Sequence, residues 1–282
     1  MRIQAAGIWD LASSVGLARL RDPRRALAVA IIGLVGGLML MVLFVHRDGM
    51  GADALAYWHG TRTWLEGGDP YRPAGPWWPY VYAPWLLPVF VPWALLPWPV
   101  AWIVWEGAIV ALVAWSVAWA YDRRPLPAAI AFLVMSIPIG LVVDSANIAL
   151  FLTFGLWAMW FAGPRTSALL WALATVIKWF PAVFFVALPR AARPWAIGLI
   201  VIALALSLAT WQMTLEQIEL VGLFGVPAVG RGSAGVRVDH LVFLWALVPL
   251  LWGATGRRLH LPMAARLPAL TRTFGPHRPK PA

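Results

Sequence analysis

Apolar runs long enough to cross a lipid bilayer are the feature that most constrains how this chain can fold. A transmembrane α-helix needs about 20 apolar residues, and the stretches 26–45 and 100–120 meet this requirement. Of the 282 residues, 61% are hydrophobic and 12% are charged, whereas a soluble domain is typically about a quarter charged. Because helices satisfy their own backbone groups in lipid, the sequence predicts an all-α, polytopic membrane helix bundle.

The apolar runs predict about eight transmembrane helices with both chain ends in the cytoplasm. Positive charge beside the first run and in the tail favours the cytoplasmic side for both. The proline-rich run 82–98 is counted as a short kinked span, since a re-entrant segment there would place the basic tail outside. The other predicted spans are 26–45, 100–120, 127–142, 147–162, 167–188, 194–210 and 239–253.

The polar segments set the predicted domain organisation. A cytoplasmic segment, 1–25, precedes a transmembrane domain, 26–254, and a basic, proline-rich cytoplasmic tail, 255–282, follows it. Two polar loops, 46–81 and 211–238, are predicted on the outer side. The net charge of +10 lies mainly at the chain ends and in short loops, so we expect the basic residues to contact anionic lipid headgroups rather than nucleic acid. The sequence has no cysteine, which excludes disulfides and thiol catalysis.

The first outer loop contains the longest polar stretch in the front half of the chain, residues 53–71. Leu55, Trp58 and Leu65 recur at helical spacing, and Gly67 with Gly68 is typical of a helix stop. The stretch therefore predicts a short amphipathic helix at the membrane surface, beginning at Asp53.

Two acidic residues of this loop have alternative interpretations. Asp53 is either a general base that takes a proton from an acceptor hydroxyl or the N-cap of the surface helix. Asp69 precedes Pro70, which favours a turn residue.

Lys178 stands within an apolar run, and an ionisable residue at membrane depth is expensive to bury. It is predicted either to neutralise a phosphate, to pair with a carboxylate such as Glu106, or to extend its ammonium group toward an interface. Arg231 and Arg237 end the second outer loop. They either hold a phosphate through side chains and neighbouring backbone N–H groups or belong to a solvated loop.

Residues 144–147, Asp-Ser-Ala-Asn, interrupt an apolar run. They are predicted either to cap the next helix or to place Asn147 in a cavity. No spacing of His or Asp residues is typical of a metal site, so no divalent metal is expected. Neither a P-loop nor a GxGxxG motif is present, and nucleotide hydrolysis is not expected.

Several motifs, taken in order, resemble glycosyltransferase family 87. The pieces are Asp53…Tyr57…Leu65-x-Gly67-Gly68-Asp69-Pro70-Tyr71, then Tyr82-Ala83-Pro84, Leu95-Leu96-Pro97, Asn147 before an apolar run, and Ile177-Lys178-Trp179-Phe180-Pro181. They are scattered over residues 45–190. Asp144-Ser145 stand where the family usually has Gly-Gln, Ala83 stands where proline is common, and the chain is shorter than most members.

The resemblance implies a GT-C fold and a membrane glycosyltransferase on the outer face of a bacterial plasma membrane. Asp53 would be the base, and a hexose, with mannose favoured, would pass with inversion from a polyprenyl-phosphate-sugar donor to a lipid or glycan hydroxyl. The donor is a co-substrate, and no cofactor is implied. Candidate phosphate-binding residues are Lys178, Arg231 and Arg237. Further candidates for substrate binding are Tyr57, Arg62, Asp69, Tyr71, Tyr82, Asn147 and His240.

Two alternatives belong to other functional classes. A transporter or flippase for a lipid-linked or anionic substrate would use Lys178, Glu106 and the proline-broken segment 82–98 along its path. A non-catalytic, truncated relative would instead act as the partner subunit of an enzyme, an alternative prompted by the short chain.

Overall fold

The computed structural model describes residues 22–45, 51–75, 77–221 and 238–253. Within these ranges the chain is helical and has no strand, so the predicted all-α class is confirmed. The α-helices are α1 (Pro23–Val45), α2 (Ala52–Leu65), α3 (Leu87–Ala94), α4 (Trp98–Arg123), α5 (Pro125–Val134), α6 (Ser136–Asp144), α7 (Ala149–Met159), α8 (Pro164–Ile177), α9 (Arg193–Ala209), α10 (Trp211–Val221) and α11 (Val248–Leu251). Short 3-10 segments occur at Pro84–Leu86, Phe180–Ala187, Arg190–Ala192 and Val238–Leu247.

Three helical stretches in the described part of the chain are long and apolar enough to cross a membrane. They are Pro23–Leu43, Trp98–Arg123 and Arg190–Ala209, and helices α5 and α6 make a fourth if this bent pair forms one span. These helices support the membrane-protein prediction. The arrangement of eight spans stays a prediction, because the other apolar pieces are shorter helices. Most of the predicted N-terminal segment and the whole of the predicted tail lie outside the described residues.

Prolines explain why several apolar runs are divided into short helices. Helices α5 and α6 meet at an angle of 59°, and Pro138, in the first turn of α6, has no N–H to donate to the carbonyl of Val134, where α5 ends. In the run predicted as the 82–98 span, Pro92 interrupts the backbone hydrogen bonds of α3 in the same way.

The continuous span predicted for 167–188 is wrong. Helix α8 ends at Ile177, and Lys178 has an extended backbone with φ −134° and ψ 124°. Pro181 cannot donate a hydrogen bond to the carbonyl of Ile177, so the α-helix cannot continue past this point. A 3-10 segment then begins at Phe180. The break places Lys178 at the end of a helix rather than in its middle.

Helix α7 lies in the centre of the core. Trp157, Met159 and Trp160 are almost fully buried, and the helix packs against α8 and against the 3-10 segment Val238–Leu247. The Trp160 indole N–H donates to the carbonyl of Ala246 at 2.6 Å. In contrast, only 11% of the apolar 18-residue stretch of α1 is buried inside the protein, which suits a helix that faces lipid.

Helix α2 is confirmed as a helix, and the face that it buries within the protein is not the one that carries Leu55, Trp58 and Leu65. Leu65 is 47% exposed, and Leu55 and Trp58 are only partly buried. The buried residues are Ala54, Ala56, Tyr57, Gly60 and Thr61. Small side chains allow close packing here: a Cβ at Gly60 would lie 2.8 Å from the Cβ of Tyr80. The hydrophobic pattern does not indicate this face, because close packing here depends on the small size of the side chains rather than on their hydrophobicity.

Candidate functional site

Asp53 lies in the first turn of α2 and does not cap the helix. The N-cap is Gly51, with φ 74° and no side-chain hydrogen bond to the helix, so the capping interpretation of Asp53 is wrong. The Gly51 N–H donates to the carbonyl of Asp144, and the Asp53 N–H donates to the carbonyl of Ser145, both at 3.0 Å. The start of α2 is therefore held against the turn that follows α6.

That turn, residues 144–147, places Asn147 beside Asp53. Ala146 has φ 52°, the only positive φ of a non-glycine residue in the described ranges, and its carbonyl accepts a 2.9 Å hydrogen bond from the Trp105 indole. Asn147 is 5% exposed. Its Nδ2 donates to Oδ2 of Asp53 at 2.7 Å, and its Oδ1 accepts from the N–H of Ala149 at 2.9 Å. Asn147 therefore lies in a cavity, as one of its two interpretations predicted, whereas the N-cap of α7 is Ile148.

Lys178 approaches the same region from the end of α8. Its Nζ lies 5.6 Å from the centre of the Tyr82 ring. It interacts electrostatically with the Tyr82 hydroxyl and with the carboxylates of Asp53 and Asp239. The Tyr82 hydroxyl in turn lies 3.0 Å from the hydroxyl of Tyr57. A cation and a carboxylate are thus connected through a short polar network.

These side chains face one cavity of about 620 Å³. Its walls carry three carboxylates, those of Asp53, Asp144 and Asp239, and one lysine, Lys178. Tyr57, Tyr82 and Asn147 also line it. The further lining residues are Ala52, Ala56, Trp78, Pro79, Val81, Leu141, Ser145, Leu220, Val221 and Val238.

Tyr57 is a neutral hydroxyl in this cavity. Burial raises its pKa well above the ordinary value of 10.0, and the nearby Tyr82 and Asp53 raise it further. A neutral phenol can both donate and accept a hydrogen bond, so Tyr57 can orient Tyr82 without adding negative charge.

Four other predicted site residues do not line the cavity. Arg62 lies 5.1 Å from the Trp58 ring centre, and Tyr71 is buried and donates to the carbonyl of Tyr82 at 2.8 Å. Asp69 accepts a hydrogen bond from the Tyr71 N–H at 2.8 Å, which confirms its turn geometry. His240 is 3% exposed and stacks on Phe180. These positions support the fold around the cavity.

The other cations predicted for the site, Arg231 and Arg237, lie outside the described residues. Leu220 and Val221 before that segment, and Val238 and Asp239 after it, all line the cavity.

The predicted pairing of Lys178 with Glu106 is not found. Glu106 lies on α4, is 8% exposed, and neither of its carboxylate oxygens has a hydrogen-bond partner in the described part of the chain. Its electrostatic neighbour is Asp144. No group of three or more His, Asp or Glu side chains in the described ranges is arranged to hold a metal ion.

Three further residues line the cavity, Asp144, Asp239 and Trp78, which the sequence did not single out as candidates for the site. In the sequence, Asp144 interrupts an apolar run, and Asp239 directly follows the second polar loop. Trp78 carried no signal, because tryptophan is abundant in this chain, with 20 residues, and is typical of membrane interfaces.

Comparisons of the chain with protein-family models, curated proteins and solved structures give no match. The fold defines a class, an all-helical protein with helices suited to a membrane. The resemblance to glycosyltransferase family 87 stays a prediction from the sequence motifs.

Proposed function

We propose that the chain is a membrane glycosyltransferase of the kind that its resemblance to family 87 implies. It would move a hexose, with mannose favoured, from a polyprenyl-phosphate-sugar donor to a lipid or glycan hydroxyl on the outer face of a bacterial plasma membrane. One observation supports this proposal above all others. Asp53, oriented by Asn147, and Lys178 line the same cavity, although they come from distant parts of the chain.

The base is Asp53. A general base has to lie within hydrogen-bond reach of the proton it removes, and the carboxylate of Asp53 faces a cavity large enough for a sugar ring. The 2.7 Å hydrogen bond from Asn147 to Oδ2 fixes the orientation of this carboxylate. A charge-assisted hydrogen bond of this length is among the stronger ones in proteins, so the base is positioned before substrate binds.

Lys178 binds the donor phosphate. The ammonium group of a lysine is a compact point charge that stabilises negative charge on phosphate oxygens. Arg231 and Arg237, which lie outside the described residues, are the further candidates for this role.

The reaction is a single displacement with inversion. Asp53 takes the proton of the acceptor hydroxyl while that oxygen forms a bond to the anomeric carbon. The bond between the anomeric carbon and the phosphate oxygen breaks, and its electron pair leaves with the polyprenyl phosphate. Lys178 stabilises the negative charge that develops on this leaving group.

The test uses purified protein in detergent, radiolabelled polyprenyl-phosphate mannose and membrane-lipid acceptors. Asp53→Asn is expected to lower transfer by about 100-fold or more, the usual contribution of a general base. Asp69→Asn is the matched control, since it alters a carboxylate of the same loop outside the cavity and retains a side chain suited to the turn.

Undiminished turnover by Asp53→Asn would refute the assigned base. A wild-type protein that transfers nothing from mannose, glucose or arabinose donors would refute the proposed function, and uptake of a lipid-linked substrate into liposomes would then favour the transporter.

A further inference from the structure

The turn after α6 has an alanine at a position where glycine is usual. Ala146 has φ 52°, in the left-handed region. Its N–H donates to the carbonyl of Val143 at 3.0 Å, and the N–H of Asn147 donates to the carbonyl of Val142 at 2.9 Å. These two bonds are those of a Schellman motif, whose left-handed residue is most often glycine. An alanine there is unfavourable because its Cβ crowds a backbone carbonyl, so the surrounding structure has to stabilise this conformation.

Trp105 of α4 supplies a contact that stabilises the turn from outside. Its indole N–H donates to the carbonyl of Ala146 at 2.9 Å. Two other rings pack against the indole: their centres lie 4.6 Å away for Trp93 and 4.8 Å away for Phe151. Aromatic rings at such distances attract each other. The N–H is therefore directed at the turn by a side chain that has little freedom to move.

The same turn determines where the carboxylate of Asp53 lies. The Asp53 N–H donates to the carbonyl of Ser145 at 3.0 Å, and Nδ2 of Asn147 donates to Oδ2 of Asp53 at 2.7 Å. Asn147 directly follows Ala146, so a change in the φ of Ala146 would turn the Asn147 amide away from this carboxylate. Trp105 thus reaches Asp53 through two intermediates, Ala146 and Asn147.

We infer that Trp105 is a positioning residue for Asp53, because its indole N–H keeps Ala146 in the left-handed conformation that sets Asn147 against the carboxylate. The expected effect on transfer rests on the proposed function, whereas the effect on the turn depends on no reaction. The alternative is that Trp105 only fills space among the neighbouring rings. Packing needs the ring, and the inferred role needs the N–H donor.

The first experiment measures hydrogen exchange of backbone amides by mass spectrometry on the purified full-length protein in detergent. Trp105→Phe keeps an aromatic ring and removes the N–H donor. It is expected to speed exchange at the amides of Asp53 and Asn147 about fivefold, because the turn that holds both then opens more often. Trp252→Phe is the matched control, since it removes a 3.2 Å bond from an indole to the Ala120 carbonyl of α4, and exchange at the two amides is expected to stay unchanged.

A second substitution separates the N–H from the other effects of changing Trp105. Glycine adopts the left-handed conformation readily, so Ala146→Gly added to Trp105→Phe is expected to restore slow exchange. Faster exchange that Ala146→Gly does not reverse would assign Trp105 to packing alone and refute the inference. If Trp105→Phe does not fold, the double variant is expected to fold, and failure of both variants to fold would also refute the inference.

The second experiment measures transfer kinetics with the labelled polyprenyl-phosphate mannose. Trp105→Phe is expected to lower kcat about tenfold, with the KM for the donor unchanged, because a misplaced base slows the chemical step rather than donor binding. The double variant with Ala146→Gly is expected to recover most of this loss. An unchanged kcat in Trp105→Phe, or a loss that Ala146→Gly does not restore, would refute the inference and leave the proposed function intact. The expected exchange pattern in a protein that transfers nothing from any lipid-phosphate donor would refute the proposed function alone.

Discussion

Replacing Gly51 with alanine is expected to disturb the site, because the added methyl group would meet both a backbone and a packing constraint. Gly51 has φ 74°, and a Cβ there would lie 2.9 Å from both Cδ1 and Nε1 of the Trp102 indole. The N–H of Gly51 also donates to the carbonyl of Asp144, so the Gly51 backbone cannot move away from Trp102 without shifting the start of α2. Asp53 lies only two residues further on.

The expected cost has two parts. A left-handed backbone costs an L-residue roughly 1–2 kcal/mol relative to glycine, and overpacking a tight contact adds about 1–3 kcal/mol. The sum, about 2–5 kcal/mol, corresponds to a fall in melting temperature of roughly 4–20 °C, at about 2–4 °C per kcal/mol for a chain of this size.

Gly67→Ala separates the two parts. Gly67 has φ 79° but no atom within 4 Å of an added Cβ, so this control carries the backbone cost without the collision. Thermal unfolding of both variants in the same detergent is the assay. Gly51→Ala is expected to melt several degrees below Gly67→Ala, and donor turnover is expected to fall in Gly51→Ala alone. Equal melting temperatures of the two variants would show that Trp102 does not constrain Gly51 and would refute the predicted collision.

Three further predictions test the polar network and its surroundings. Asn147→Leu removes the hydrogen bond to Asp53 and is expected to lower transfer roughly 30-fold, from a loss of about 2 kcal/mol, measured as kcat/KM for the labelled donor; an unchanged value would contradict the orienting role. Tyr82→Phe removes the hydroxyl that lies next to the buried Tyr57 hydroxyl and is expected to lower the free energy of unfolding by about 1–2 kcal/mol in thermal unfolding. The double variant Tyr57→Phe/Tyr82→Phe is expected to lose less than the sum of the two single variants. Partial burial lowers the pKa of His59 from 6.5, although the nearby Glu66 opposes this shift. Stability is therefore expected to fall as the pH drops below about 6.5, because the unfolded chain then binds the proton more readily than the folded chain. His59→Gln is expected to weaken this pH dependence when unfolding is measured between about pH 7 and pH 5.

The predictable part of the fold was the part fixed by composition. Long apolar runs determined the helices at Pro23–Leu43 and Trp98–Arg123, because lipid leaves few other structures available. The continuous helix across Lys178 was predicted wrongly because hydrophobicity extends through the break, whereas the missing N–H of Pro181 acts on the backbone of Ile177.

The candidate site was predictable only in its separate residues. Asp53, Asn147 and Lys178 each stood out as polar groups in apolar surroundings, but no local pattern indicates that segments 94 residues apart share a hydrogen bond. The role of Gly51 as the N-cap was also missed. A positive φ depends on the contacts around residues 144–147, and these contacts are long-range.

Two oppositely charged residues of the cavity, Asp53 and Lys178, lie at helix ends whose dipoles favour their charges. Asp53 is in the first turn of α2, where unpaired backbone N–H groups give a partial positive charge, and Lys178 follows the last residue of α8, where unpaired carbonyls give a partial negative charge. Each helix end therefore stabilises its own charged side chain. A carboxylate and an ammonium group can then stay separated across an open cavity, without first having to neutralise each other.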